Sequence, residues 1–198
     1  KGDLLLPAGA KLAIIGENGV GKTTLLRCLM SELAHKEGVV KWSENASVGY
    51  CPQDSGAFFD NDLTLMDWMS QWRRPCHNDL SVRGMLGRLL FTDDDANKKA
   101  RNCSGGEKNR LLFGMLMMAD INVLIMDEPT NHMDIEAIDA LNNALKDFEG
   151  TLIFVSHDRE FVSSLATRII DIKDKQLVNF EGSLDEYLDS QIKTQKVA

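Results

Sequence analysis

The chain has 198 residues, 43% of them hydrophobic, enough to bury a full core as one large domain or one domain with a small insertion. A formal net charge of -8 argues against a general nucleic-acid coat, and leaves open a local basic contact on a large ribonucleoprotein. No apolar run is long enough to span a bilayer, no signal peptide is visible, and the four cysteines form no C-x-x-C pair, so they read as reduced thiols rather than a zinc site.

In chain order, Leu12-Ala13-Ile14-Ile15 reads as a buried strand. Gly16-Glu17-Asn18-Gly19-Val20-Gly21-Lys22-Thr23 then spells G-x-x-x-x-G-K-T, and residues 24–30 follow with helical spacing. Strand, glycine loop and helix together make a phosphate site. The glycines let backbone N–H groups turn inward around phosphate oxygens, and the helix points its positive end at the same anion. Lys22 is expected to reach the terminal phosphates, Thr23 to offer its hydroxyl to Mg²⁺, and Thr24 to lie beside them.

Residues 38–42 alternate like a strand, residues 48–52 read as another, and Gln53 follows at once. From there the strand pattern stops. Residues 61–69 look like a capped helix, residues 80–91 carry Val82, Met85, Leu86, Leu89 and Leu90 at helical spacing, and Thr92-Asp93-Asp94-Asp95 reads as a helix start. Trp68 and Trp72 are expected in its core. The block predicts a small helical subdomain, about residues 57–119, inserted in an α/β core whose sheet is mostly parallel.

Ser104-Gly105-Gly106-Glu107 opens a helix rich in Leu and Met, and on physics alone it is as much an ordinary cap as an anion site. Val123-Leu124-Ile125-Met126 is a continuous apolar strand ending in Asp127-Glu128. A carboxylate at that strand end can reach a Mg²⁺ held by the phosphate loop, and a second beside it can hold a water for in-line attack. Residues 134–148 predict an amphipathic helix, and Thr151 to Val155 another buried strand, ending in Ser156-His157-Asp158. A strand-end His is often structural, but parallel strands deliver their carboxyl ends to the ligand edge, which puts His157 near the same phosphate. A short helix, a hairpin around Asp174-Lys175 and a capping box at Ser183-Leu184-Asp185-Glu186 complete the pattern.

The order of phosphate loop, Gln53, helical block, Ser-Gly-Gly-Glu, Asp127-Glu128 and His157 resembles the nucleotide-binding domain of an ABC ATPase over nearly the whole chain. The resemblance implies a P-loop NTPase fold of ABC type that binds ATP with Mg²⁺. It casts Gln53 as the glutamine near metal and attacking water, Ser104 to Glu107 as the signature motif, Asn131-His132-Met133-Asp134 as the D-loop and His157 as the switch histidine at the γ-phosphate. The site expected is therefore catalytic Glu128, His157 and Gln53. Nucleotide is expected at Gly16, Glu17, Asn18, Gly19, Val20, Gly21, Lys22, Thr23, Thr24, Ser104, Gly105, Gly106 and Glu107, with metal at Thr23, Gln53 and Asp127. In this family two domains stack head to tail, each signature closing over the partner's ATP, so a paired domain in the same full-length chain or a homodimer is implied.

Glu128-Pro129-Thr130-Asn131-His132-Met133-Asp134 and Ser156-His157-Asp158-Arg159-Glu160-Phe161 are most similar to the ABC-F subfamily, in particular to the second domain of a bacterial member. ABC-F proteins carry two domains in one soluble, cytoplasmic chain without membrane partners. Several act on the ribosome, so contact with ribosome, rRNA or tRNA is implied by kinship. Cys103 and Met133 stand where the family usually has Leu, and Ser183 replaces an aromatic of the tail. The aromatic that stacks on adenine normally lies upstream of Lys1, so an N-terminally incomplete domain is expected. The rivals are the motor subunit of a membrane ABC transporter, which shares every nucleotide motif, and a binding module with a degenerate site, against which the full motif set argues.

Overall fold

The computed structural model describes residues 4–34, 37–54, 56–173 and 176–195. Its centre is a six-stranded sheet: β1 (Lys11–Gly16), β2 (Val48–Cys51), β3 (Val123–Asp127), β4 (Thr151–Val155), β5 (Arg168–Lys173) and β6 (Gln176–Glu181), in the spatial order β2-β3-β4-β1-β5-β6. All neighbours are parallel except β5 and β6. Every residue of β3 and β4 is buried. That follows from their continuous apolar runs, since a strand covered on both faces has no reason to alternate.

Among the described residues seven α-helices surround the sheet: α1 (Lys22–Leu29), α2 (Leu65–Ser70), α3 (Asp79–Arg88), α4 (Gly105–Met118), α5 (Ile135–Asp147), α6 (Arg159–Leu165) and α7 (Leu184–Gln195). The core is in two parts. One packs Leu111, Leu112, Leu141, Phe154, Phe161 and Ile169 together with the helical segment. The other sets Leu26 of α1 against Leu12, Ile14, Ile125, Ile153 and Ile170. Helix starts follow their caps: Thr64, Asn78, Ser104, Asp134 and Asp158 each accept a hydrogen bond from the backbone N–H three residues on. Among the described residues no helix is long and apolar enough to cross a membrane.

Three expectations are corrected. Residues 38–42 form no strand: Val39 is 87% exposed, and Trp42 instead turns its indole N–H to Leu29 O at 3.3 Å. Alternation there had no partner strand to complete it among the described residues. The expected helix at Thr92 is only a short 3₁₀ turn, Asp94–Asn97, because the Asp95 carboxylate accepts from Thr92 N at 2.8 Å and from its hydroxyl at 2.7 Å and holds the chain in a tight local loop. Trp72 is exposed, whereas Trp68 is buried, stacked on Phe59 with ring centroids 4.7 Å apart. Between β2 and α4 the described residues form short helices joined by turns, with one isolated antiparallel bridge, Thr64 with Lys99. The turn of the expected hairpin, Asp174-Lys175, lies outside the described residues, and its two flanking strands pair as expected.

The topology places the chemistry. In register, Asp127 sits beside Val155, and Gly16 beside Ile172. The carboxyl ends of β1, β3 and β4 thus open at one edge, and the loops that leave them hold the phosphate motif, Glu128 and His157.

Candidate nucleotide-binding site

The phosphate loop leaves β1 at Gly16, whose φ of +144° only glycine adopts freely; a Cβ there would lie 2.8 Å from Ile172 O. Gly19 and Gly21 also have positive φ. Gly21 is the N-cap of α1 and supplies no side-chain bond, so the first N–H groups of that helix are left facing outward for an anion. Lys22 is buried and folds back along the loop, donating to Gly16 O at 2.9 Å and Glu17 O at 3.1 Å. The loop is a preformed concavity with its cation already at its rim.

A cleft of about 430 Å³ lies over it. It is lined by Asn18, Gly19, Gly21, Lys22, Thr23 and Thr24 of the loop and first helical turn, and by Gln53, Glu128, Asn131, Val155 and His157 from the strand ends. Gly16, Glu17 and Val20 do not line it; they set the loop's path, and Val20 N donates to Glu17 O at 3.3 Å. Asn131 is a lining residue that motif order had put only in the D-loop. The signal for it is its place three residues after Glu128, where Asn131 N donates to Glu128 O at 3.2 Å and the turn brings it back to the cleft.

Glu128 has φ +52°, left-handed and uncommon for a residue with a side chain. Its N–H donates to Val155 O at 2.9 Å, and its carboxylate accepts from His157 N at 3.2 Å and lies 3.1 Å from His157 Nε2. Burial pushes its carboxyl above the ordinary range; the nearby Asp127 adds to this, while His157 and Lys22 oppose it. His157 is more than half exposed, so it bridges a buried acid and the open cleft.

Asp127 does not line the cleft. It is buried behind it, and among the described residues neither carboxylate oxygen has a hydrogen-bond partner. Its charge is felt by its neighbours: burial first, and then Asp127, push the Cys51 thiol and the Tyr50 hydroxyl each up to about 12. An unpartnered buried carboxylate fits a hard cation bound close by. Among the described residues no three or more His, Cys, Asp or Glu gather to hold a metal by themselves. The donor set therefore fits Mg²⁺, which takes one or two protein oxygens and completes its shell with water and phosphate. It does not fit a zinc cage.

Ser104, Gly105, Gly106 and Glu107 stand apart from this cleft, and none of them lines it. They form a capping box: Ser104 Oγ accepts from Glu107 N at 3.3 Å, and Glu107 Oε2 accepts from Ser104 N at 2.7 Å. Lys98 Nζ reaches both carboxylate oxygens, at 2.8 and 2.9 Å. Burial raises the Glu107 pKa, but these bonds outweigh it and hold the carboxyl below its ordinary range. Glu107 is thus committed within the chain as a brace, and the Ser104 side chain is drawn into the same box.

The family described as ABC transporter matches residues 2–131. The chain is 57% identical over 188 residues to the protein described as probable ATP-binding protein YbiT of Escherichia coli O157:H7, covering 95% of this chain and 36% of that one. It is 35% identical over 193 residues to ABC transporter F family member 5 of Arabidopsis thaliana, covering 97% of this chain and 28% of the other. The chain thus spans about a third of the length of the relatives it matches. Among solved structures, RNase-L Inhibitor superimposes with a TM-score of 0.77 at 22% identity over 94% of this chain and 37% of that one, a likeness of fold. The match over most of its length, with relatives of the F branch along nearly all of it, means that the chain belongs to the ABC transporter family, as an ATP-binding domain of ABC-F type.

Proposed function

We propose that this chain is one ATP-hydrolysing half of an ABC-F protein that works on the ribosome in the cytoplasm, with residues 57–119 as a helical subdomain set into the α/β core. The observation that carries the enzymatic part is the company kept in the cleft: Lys22, Thr23, Gln53, Glu128 and His157 surround one space, with the unpartnered Asp127 behind it. The loop N–H groups and Lys22 hold the phosphate chain of ATP. Thr23, Gln53 and Asp127 would hold Mg²⁺, which neutralises charge on the transferring phosphoryl group. Glu128, its pKa raised by burial, accepts the proton of the attacking water. His157 orients Glu128 and donates to the γ-phosphate. The Ser104 turn, absent from its own cleft, serves the ATP of a second domain, in the same full-length chain or a second copy.

The ribosomal part rests on the ABC-F kinship of the relatives. Glu128→Gln, made in both domains of the intact protein, keeps size and most hydrogen bonding but cannot take a proton. Hydrolysis is expected to slow by about 10²–10⁴-fold while ATP still binds. The ATP-bound variant is expected to co-sediment with ribosomes through a sucrose gradient and to be released with ADP. Normal hydrolysis by this variant removes Glu128 from its role. A variant that traps ATP but ignores ribosomes leaves the ATPase standing and ends the translational claim.

A further inference from the structure

Under the reading above, two surfaces of this chain meet nucleotide: the cleft at Lys22 and the turn at Ser104-Gly105-Gly106. One buried side chain joins them. Asn109 lies one helical turn after Gly105 and Gly106 on α4 and is 7% exposed. Its amide nitrogen donates to Asn131 O at 3.3 Å and stands 3.5 Å from Pro129 O, the outer limit of such a bond. Both carbonyls belong to the loop that Glu128 begins. The glycines bring the same two segments into contact, since a Cβ on Gly106 would stand 2.7 Å from His132 O.

The loop is itself a stiff unit. Met133 N donates to Thr130 O at 3.2 Å, as Asn131 N does to Glu128 O. Thr130 Oγ1 shares a 3.2 Å hydrogen bond with Ser156 Oγ, next to His157. Any displacement of the Ser104 turn therefore pulls, through Asn109, on a backbone one turn away from the Glu128 carboxylate. An apolar residue of similar size would fill the space beneath α4, whereas the amide fixes the direction of two carbonyls.

We infer that Asn109 is a positioning residue for Glu128: its amide ties the turn that closes over a partner's ATP to the loop that holds the base of its own cleft. The movement of one half-site thereby sets the geometry of the other, through a continuous physical path. This rests on the reading of Glu128 as the base.

The test measures ATP turnover and hydrogen exchange in the intact protein for wild type, Asn109→Leu, Asn109→Gln and Glu128→Gln. Asn109→Leu is expected to lose about 10–100-fold in kcat, the cost of a misplaced reacting group, with KM within about twofold of wild type. Exchange of the Asn131 and Met133 amides should rise while that of β1 and β4 stays as it was. Asn109→Gln, which keeps the donor, should recover most of the turnover. If the leucine variant does not fold, Asn109→Ala removes the amide without added bulk and carries the same expectation. Turnover within about twofold of wild type in Asn109→Leu or Asn109→Ala, beside a dead Glu128→Gln, overturns the link alone. A loss shared between kcat and KM, with a lower Tm, makes Asn109 a fold residue and also overturns it. Normal turnover in Glu128→Gln overturns the catalytic reading and this inference with it.

Discussion

Glu128 bears two costs in the folded chain: a left-handed backbone and a carboxyl withdrawn from water beside Asp127. A carboxyl whose folded pKa is raised is disfavoured in its ionised form. The cost is absent below the unfolded value of 4.5, grows as pH rises through the folded value, and is complete above it. Glu128→Gln has no such titration. Its melting temperature is expected to exceed wild type at about pH 8, and the difference to close as pH falls towards about 4.5, which scanning calorimetry across that range checks. Gly16→Ala has the opposite sign. Its methyl meets Ile172 O at 2.8 Å on a backbone that disfavours any side chain. A loss of about 1–3 kcal/mol is expected from the strain alone, together with weaker binding of a fluorescent ATP analogue as the loop is displaced.

At the scale of elements, β1 and α5 are joined end to end. Lys11 Nζ donates to Leu145 O, to Lys146 O at 3.4 Å and to Phe148 O at 3.1 Å, gathering the free carbonyls at the end of α5. Burial lowers its pKa, and Asp147 works against that. Lys11→Met should cost about 1–2 kcal/mol, with faster exchange in the last turn of α5 and unchanged nucleotide affinity, since the cap is remote from the cleft. The elements differ in how legible they were. β3 and β4 could be read directly, because strands buried on both faces carry unbroken apolar runs, Val123 to Met126 and Leu152 to Val155, and lead into the acids and the histidine that matter. Residues 38–42 could not, because alternation reports a strand only where a neighbour completes the ladder. The acidic run at Asp93-Asp94-Asp95 suggested a helix, but local bonding to Thr92 won. The phosphate loop, Gln53 and Glu128 were legible as motifs. The unpartnered oxygens of Asp127, the inward commitment of Glu107 and the place of Asn131 were not, because each depends on which segments the sheet brings together.

As a whole molecule, the chain presents its cleft at Lys22 apart from the turn at Ser104-Gly105-Gly106, which does not line it. Its isolated form is expected to bind ATP but to turn it over at least about 10³-fold more slowly than the paired assembly, since stabilisation of the γ-phosphate from the far side is missing. Brisk hydrolysis by a monomer, with its mass checked by light scattering, would contradict that. The sheet order has a further consequence, for the timing of folding. β1 pairs with β4 and β5, as in Lys11 with Leu152 and Leu12 with Arg168, and no strand made between them in time touches it. Gly16, where the phosphate loop begins, lies beside Ile172 of β5. During synthesis the phosphate loop emerges early and waits, without a sheet to hold it, until more than a hundred further residues have been made. A nascent chain stalled before β5 would therefore present the whole G-x-x-x-x-G-K-T sequence and bind no nucleotide. ATP binding is therefore expected only in chains long enough to include β4 and β5, which binding of a fluorescent ATP analogue to stalled chains of increasing length checks.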